Sequence, residues 1–369
     1  MFNCRSVHYD TTILPHSSTT KNIFFLIKNL IHIKILRMNN FDMSVLVTQL
    51  IQLFLVMAVG YIAFKMKILN HTVCKKLSTF VLEITMPIMI IDAVLSLDNS
   101  QKPGTSTIVT LFVASILFYV VMPIIAFVVV KILAKTIHIK KYREGLYMLM
   151  MVFGNVGFMG FPILKAACGS NGELAVFYAA ILNIFFNIAF FTYGIMIVGY
   201  GTEAQAKISL KKFISPGMIS SFVGIALYAF GIHYPTSGKG NMVTDILEGL
   251  FGSIGDLTPP LAMILVGATL ASVAIKEVFN EWRIYIFVFI RQIILPLLLF
   301  PIFKIFIKDS LLSTVLFIEF LMPIANSAVI IANEYDLDSR FASKAIFIST
   351  LASIVAIPLI LYLTSMMPI

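Results

Sequence analysis

Apolar positions in this chain do not alternate with polar ones at the spacing of an amphipathic strand or helix; they run together in long blocks. Ten blocks stand between charged or turn-forming residues: 45–64, 77–97, 108–130, 146–164, 174–198, 216–232, 250–273, 285–303, 311–332 and 342–364. About 20 mostly apolar residues in a helix reach across the hydrocarbon core of a bilayer. The pattern therefore predicts an all-α integral membrane protein with ten transmembrane helices. The least apolar connector, 200–215, divides the set into five spans over 44–199 and five over 216–369, with residues 1–43 ahead of them.

Composition sharpens this. Of 369 residues, 59% are hydrophobic and 12% charged, against about 25% charged in an average soluble domain, which excludes an ordinary soluble protein. The net charge of +9 comes with a single tryptophan and with basic residues spread over the connectors. It is read as a membrane signal, since nucleic-acid binding needs those charges gathered in one patch. Lys and Arg are retained on the cytoplasmic side, and the connectors after odd-numbered blocks hold fifteen of them against five after even-numbered blocks. The expectation is a multi-pass protein of the plasma (inner) membrane with both termini outside, and its large apolar outer faces fit a homodimer in the lipid bilayer. Residues 1–43 run against that orientation with Arg5, Lys21, Lys28, Lys34 and Arg37. Two readings of this extension stand, a basic amphipathic anchor on the membrane or a start assigned too early, ahead of Met38 or Met43.

The helix breakers repeat. Pro87 of span 2 and Pro259 of span 7 lie 172 residues apart, Pro123 and Pro296 of spans 3 and 8 lie 173 apart, and Gly154 of span 4 stands 169 before Pro323 of span 9. Five spans per half is an odd number, so the second half enters the membrane from the opposite side. An inverted 5+5 repeat follows, a construction used by secondary transporters.

In such repeats, breakers at matching depth point to the transport site, because a broken span frees backbone groups that are tolerated only where they line a cavity. Span 4 reads Gly154-Asn155-Val156-Gly157-Phe158-Met159-Gly160-Phe161-Pro162 and span 9 reads Met322-Pro323-Ile324-Ala325-Asn326-Ser327. If both unwind and cross, two half-helix N-termini bring free N–H groups and positive dipole ends to one place, and an anionic group is the natural guest. The expected substrate-binding residues are Gly154, Asn155, Gly157, Pro323, Asn326 and Ser327. Asn183 and Asn187 of span 5, four apart on one helical face, either join them or bridge helices as polar glue. Close helix packing is the alternative reading of the glycines, and Pro123 and Pro296 are read as kinks.

Three carboxylates sit about one turn before a proline: Glu83 before Pro87, Asp256 before Pro259 and Glu319 before Pro323. At ~1.5 Å per residue, Glu83 and Asp256 fall roughly 9 Å and Glu319 roughly 12 Å into their spans. A carboxyl desolvated at that depth carries a proton or helps to bind Na⁺; the alternative is that it reaches an interface or a backbone group. Arg291, within span 8, is either a fork for a substrate carboxylate, a counter-ion for Glu83 or Glu319, or a side chain snorkelling to the cytoplasmic interface.

Other chemistries fail on inventory. All six histidines lie outside the blocks, Cys4, Cys74 and Cys168 form no CxxC pair, and no phosphate-binding loop occurs. No enzyme activity, cofactor or metal is expected, and no nucleic-acid partner.

These motifs resemble the auxin efflux carrier family. The likeness rests on Gly60-Tyr61 followed by Lys67, on Thr85-Met86-Pro87, and on Asn155-x-Gly157-x-x-Gly160-x-Pro162. It continues through Lys211-Lys212-x-x-x-Pro216 and through Pro323-x-x-Asn326, with Asn333-Glu334-Tyr335-x-x-Asp338, into Ser349-Thr350-Leu351. It covers about residue 43 to the C-terminus. The resemblance implies a ten-span inverted-repeat carrier in which spans 4 and 9 cross within a unit that moves against a scaffold. Bacterial members are similar to malate and malonate permeases, and plant members export auxin, also a carboxylate. Gly154 departs from the proline of plant carriers, the connector at 200–215 lacks their long loop, and Glu83 is not part of the family pattern. The reading is a secondary transporter of a small organic anion, working by alternating access and coupled to H⁺ or Na⁺. The alternatives are the same scaffold carrying a non-carboxylate solute, and a passive channel.

Overall fold

The computed structural model describes residues 43–97, 102–200, 215–235, 241–273 and 278–365. Readings placed on the N-terminal extension, on most of the 200–215 connector and on Lys239 and Lys276 lie outside those residues. Among the described residues, the elements are helices: α1 (Met43–Lys65), α2 (His71–Leu95), α3 (Thr105–Thr136), α4a (Lys141–Val152), α4b (Val156–Ala167) and α5 (Gly169–Val198). The second half of the chain holds α6 (Pro216–Ala229), α7 (Met242–Ser272), α8 (Trp282–Phe306), α9a (Ser310–Leu321), α9b (Ser327–Glu334) and α10 (Ser339–Ser365). Seven of them, α1, α2, α3, α5, α7, α8 and α10, are long and apolar enough to cross a membrane, and α4b, α6 and α9a are shorter apolar helices. The chain is a multi-pass helical membrane protein.

Several helix starts have a side-chain cap. The Asn70 side chain accepts the Val73 N–H, Ser215 caps α6 with Pro216 in its first turn, Asn241 and Thr244 form a reciprocal capping box on α7, and Asp309 accepts the Leu312 N–H. Helices α2 and α3 outrun their apolar blocks because Lys75, Lys76, Lys131 and Lys135 continue the helix beyond the point where hydropathy falls. Pro87, Pro162 and Pro296 each follow a five-residue π turn, 81–85, 156–160 and 290–294. A proline removes one helical hydrogen bond and presses on the carbonyl four residues back. Those carbonyls belong to Glu83, Phe158 and Gln292, all within the widened turns, which take up the mismatch. Pro123 differs, since α3 runs on through it.

The most extensive helix contact joins α1 and α7. A Cβ on Gly60 would overlap the backbone of Ile264, and one on Gly267 the backbone of Met57 and Tyr61. Two glycines thus let these backbones touch. α2 packs on α6 and α7, α3 on α4a and α5, and α8 on α9a and α10. Phe153, at the end of α4a, sits edge-on to Phe186 and Phe190, with ring centroids 5.4 and 5.0 Å away.

The crossing of two broken helices

Gly154 and Ile324 pair as an isolated antiparallel bridge. The Asn155 N–H donates to the Pro323 carbonyl at 2.7 Å, and the Ala325 N–H donates to the Phe153 carbonyl at 3.2 Å. Two residues of each broken helix, Phe153 and Asn155 against Pro323 and Ala325, therefore satisfy each other's backbone, in place of the helical bonds that Gly154 and Pro323 interrupt. The two breaks meet, as the sequence predicts, and α4b and α9b both start within three residues of the bridge.

Arg291 holds the other side. It is 1% exposed, and its Nε donates to Met150 O at 2.8 Å while Nη1 donates to Met322 O at 2.6 Å. Those carbonyls lie at the C-terminal ends of α4a and α9a, where a helix leaves acceptors without partners and its dipole is negative. Arg291 is thus no snorkelling residue, nor paired with Glu83 or Glu319: one guanidinium fastens the ends of both half-helices. The π turn at 290–294 carries it together with Gln292, whose Nε2 donates to Ser349 O at 3.0 Å. Ser349 Oγ accepts the Ile324 N–H at 3.1 Å, so the span 9 break is pinned from α8 and α10 together. In the sequence Ser349 stands only as part of Ser349-Thr350-Leu351, with no local mark of this task.

The remaining expected residues divide. Asn155 is buried; its Oδ1 accepts the Phe158 N–H at 3.3 Å, capping α4b, and its carbonyl accepts from Met159 and Gly160. Gly157 lies inside the π turn that follows. Asn326 is half-buried and caps α9b only by position, without a side-chain bond, and the Ser327 Oγ has no partner among the described residues. Asn187 donates from Nδ2 to Asn183 O at 2.7 Å, bonding back on its own helix.

The three acids differ sharply. Glu319 is 5% exposed, and neither carboxylate oxygen has a partner among the described residues. Glu83 and Asp256 lie on the outer surface of the protein, and Asp256 Oδ1 pairs with Lys165 Nζ at 2.9 Å. Glu83 faces outward from a π turn, and Asp256 sits where α7 is interrupted before Thr258, with Lys165 against its exposed carboxylate. Gly154, Arg291, Glu319, Tyr119 and Phe118 line one cleft of about 10 Å³, room for about one water.

Two broken helices thus meet around a buried cation inside a multi-pass helical membrane protein. The family model described as membrane transport protein matches residues 45–208 and 202–361, and the chain belongs to that family, in keeping with its likeness to auxin efflux carriers. It is similar to an uncharacterized transporter of Methanocaldococcus jannaschii, 28% identical over 319 residues, covering 84% of this chain and 96% of the relative. It is also similar to an uncharacterized transporter of Methanothermobacter thermautotrophicus, 26% identical over 206 residues, covering 56% of this chain and 63% of that one.

Proposed function

We propose that the protein is a secondary transporter that moves a small organic anion, a carboxylate of the malate or malonate kind, by alternating access, with the crossing as its binding site. The observation that carries this is Arg291, a cation buried at the meeting point of two broken helices and bonded, among the described residues, to two backbone carbonyls. Its charge is left uncancelled in a low-dielectric place, where attraction for a carboxylate is strong. The free face of Asn155 and the starts of α4b and α9b supply donors beside it.

The rest of the reading follows from this site. A cleft with room for about one water has to open to admit a dicarboxylate, which is the movement alternating access requires. We take the ten helices as two inverted halves, 44–199 and 216–369, joined by the 200–215 connector, with both termini outside a plasma membrane. The backbone contact of α1 with α7 is the fixed part, and a homodimer through it suits its apolar outer surface. Coupling to H⁺ or Na⁺ belongs to the same proposal.

The test is thermal unfolding of the purified protein with dicarboxylates and aromatic acids, at two pH values, with and without Na⁺, repeated on Asn155→Ala. A ligand that binds only the folded state raises its stability. Stabilisation by one class of carboxylate that is lost in N155A supports the reading; absence of any anion effect in the parent overturns it.

A further inference from the structure

We propose that Glu319 is a proton site that couples the carrier to the pH gradient, holding one proton whenever an anion occupies the cleft beside Arg291. This rests on the anion-transport reading above and replaces its open choice of coupling ion by a proton. Glu319 lies four residues before Pro323, at the end of α9a, packed on the π turn of span 4. A Cβ on Gly160 would come within 2.6 Å of Oε1 and 2.7 Å of Oε2, so the carboxylate occupies the volume that a side chain at 160 would fill. The missing side chain at Gly160 is what admits it.

The surroundings decide what such a group can do. From α3 the cleft receives Phe118 and Tyr119, from α5 Leu182, from α8 Arg291, and from α9a Leu316 and Phe320. The titratable or charged side chains facing Glu319 are therefore Tyr119 and Arg291; the Tyr193 hydroxyl donates to the Tyr119 carbonyl at 2.6 Å. Arg291 spends its bonds on Met150 and Met322, and Glu319 has no partner among the described residues. An anion entering this space meets a second negative charge at close range unless Glu319 is neutral. Protonation removes that repulsion and the cost of an uncompensated buried charge.

A metal cation suits the place poorly. It needs a shell of oxygens, whereas the lining offers oxygen-bearing side chains only at Tyr119 and Glu319, beside a permanent positive charge. A proton needs no shell. The carboxylate takes it from water on the side where the anion enters and returns it to water on the side where the anion leaves. One proton thus moves with each anion in the same direction, and both are returned unchanged.

The experiment uses the full chain in lipid nanodiscs, with malonate as probe, between pH 7 and 9. Calorimetry in buffers of different ionisation enthalpy counts protons taken up on binding. For wild type the expected result is an uptake approaching one proton per malonate, with affinity falling by up to about tenfold per pH unit. E319Q, which keeps the shape and cannot ionise, is expected to bind malonate with no proton uptake and a flat pH profile, and to transport it in vesicles without regard to a pH gradient. Wild-type binding without proton uptake anywhere in this range, or E319Q with the wild-type slope, overturns the proposal while leaving the anion site standing. Failure of wild type to bind malonate or any anion of the panel above overturns both. The wild-type slope is decisive by itself should E319Q not be recovered folded.

Discussion

Replacing Arg291 separates what its charge does from what its fork does. Its two bonds, at 2.8 and 2.6 Å, reach carbonyls on different half-helices. A hydrogen bond to a charged group contributes about 1.5–3 kcal/mol. A lysine ammonium is a point donor on a flexible stem and lacks the planar fork, so R291K keeps the cation and one carbonyl and loses about 1.5–3 kcal/mol. R291M leaves both carbonyls bare, at about 1–3 kcal/mol each, but also lifts the desolvation of a buried charge, so its stability falls close to that of R291K. Binding distinguishes the two. A carboxylate ~4 Å from a cation at an effective dielectric constant of ~20 gains about 4 kcal/mol, so R291M binds an anion about a thousandfold more weakly while R291K stays within about tenfold of the parent. Thermal unfolding and malonate calorimetry on the three proteins read both effects. R291M with parental affinity refutes the role of the charge, and R291K melting with the parent refutes the role of the fork.

Further outcomes follow from other contacts. Gly267→Ala drives a methyl into the Met57 backbone, and the parting of α1 from α7 costs about 1–3 kcal/mol; a lowered melting temperature with unchanged malonate affinity is expected, and an unaltered melt would disprove the close approach. D256N removes an ion pair whose acid is 69% exposed, so stability changes by less than about 1 kcal/mol in a urea titration, and a larger loss would mean that Asp256 is buried in the working protein.

The meeting of the two breaks was legible because breakers act locally. Gly154 and Pro323 interrupt their helices whatever surrounds them, and proline spacing put the two breaks in correspondence. The blocks themselves marked helices, but seven rather than ten are long enough to cross a membrane, blocks 146–164 and 311–332 each hold a break, and polar ends such as 71–76 continue as helix after hydropathy has fallen. Which acid would be buried was not legible. Glu83, Asp256 and Glu319 share one local signature, an acid about a turn before a proline, and differ in what distant parts of the chain bring to them. Gly160 and the α3 aromatics enclose Glu319; nothing encloses the other two. Arg291 shows the same limit, because its partners are backbone carbonyls, which leave no mark in a list of side chains.

Arg291 is solvated by peptide groups much as a dissolved cation is solvated by water. A salt bridge would have cancelled its charge and forced any incoming anion to dissociate an existing partner first. Carbonyl dipoles stabilise the charge and leave its sign in place, so no internal bond to an acid has to break before the guest arrives. Mobile ions in the bath screen exposed charges far more than buried ones. The encounter at the protein surface should therefore slow with added salt, while the lifetime of an anion already seated at the crossing should hardly change.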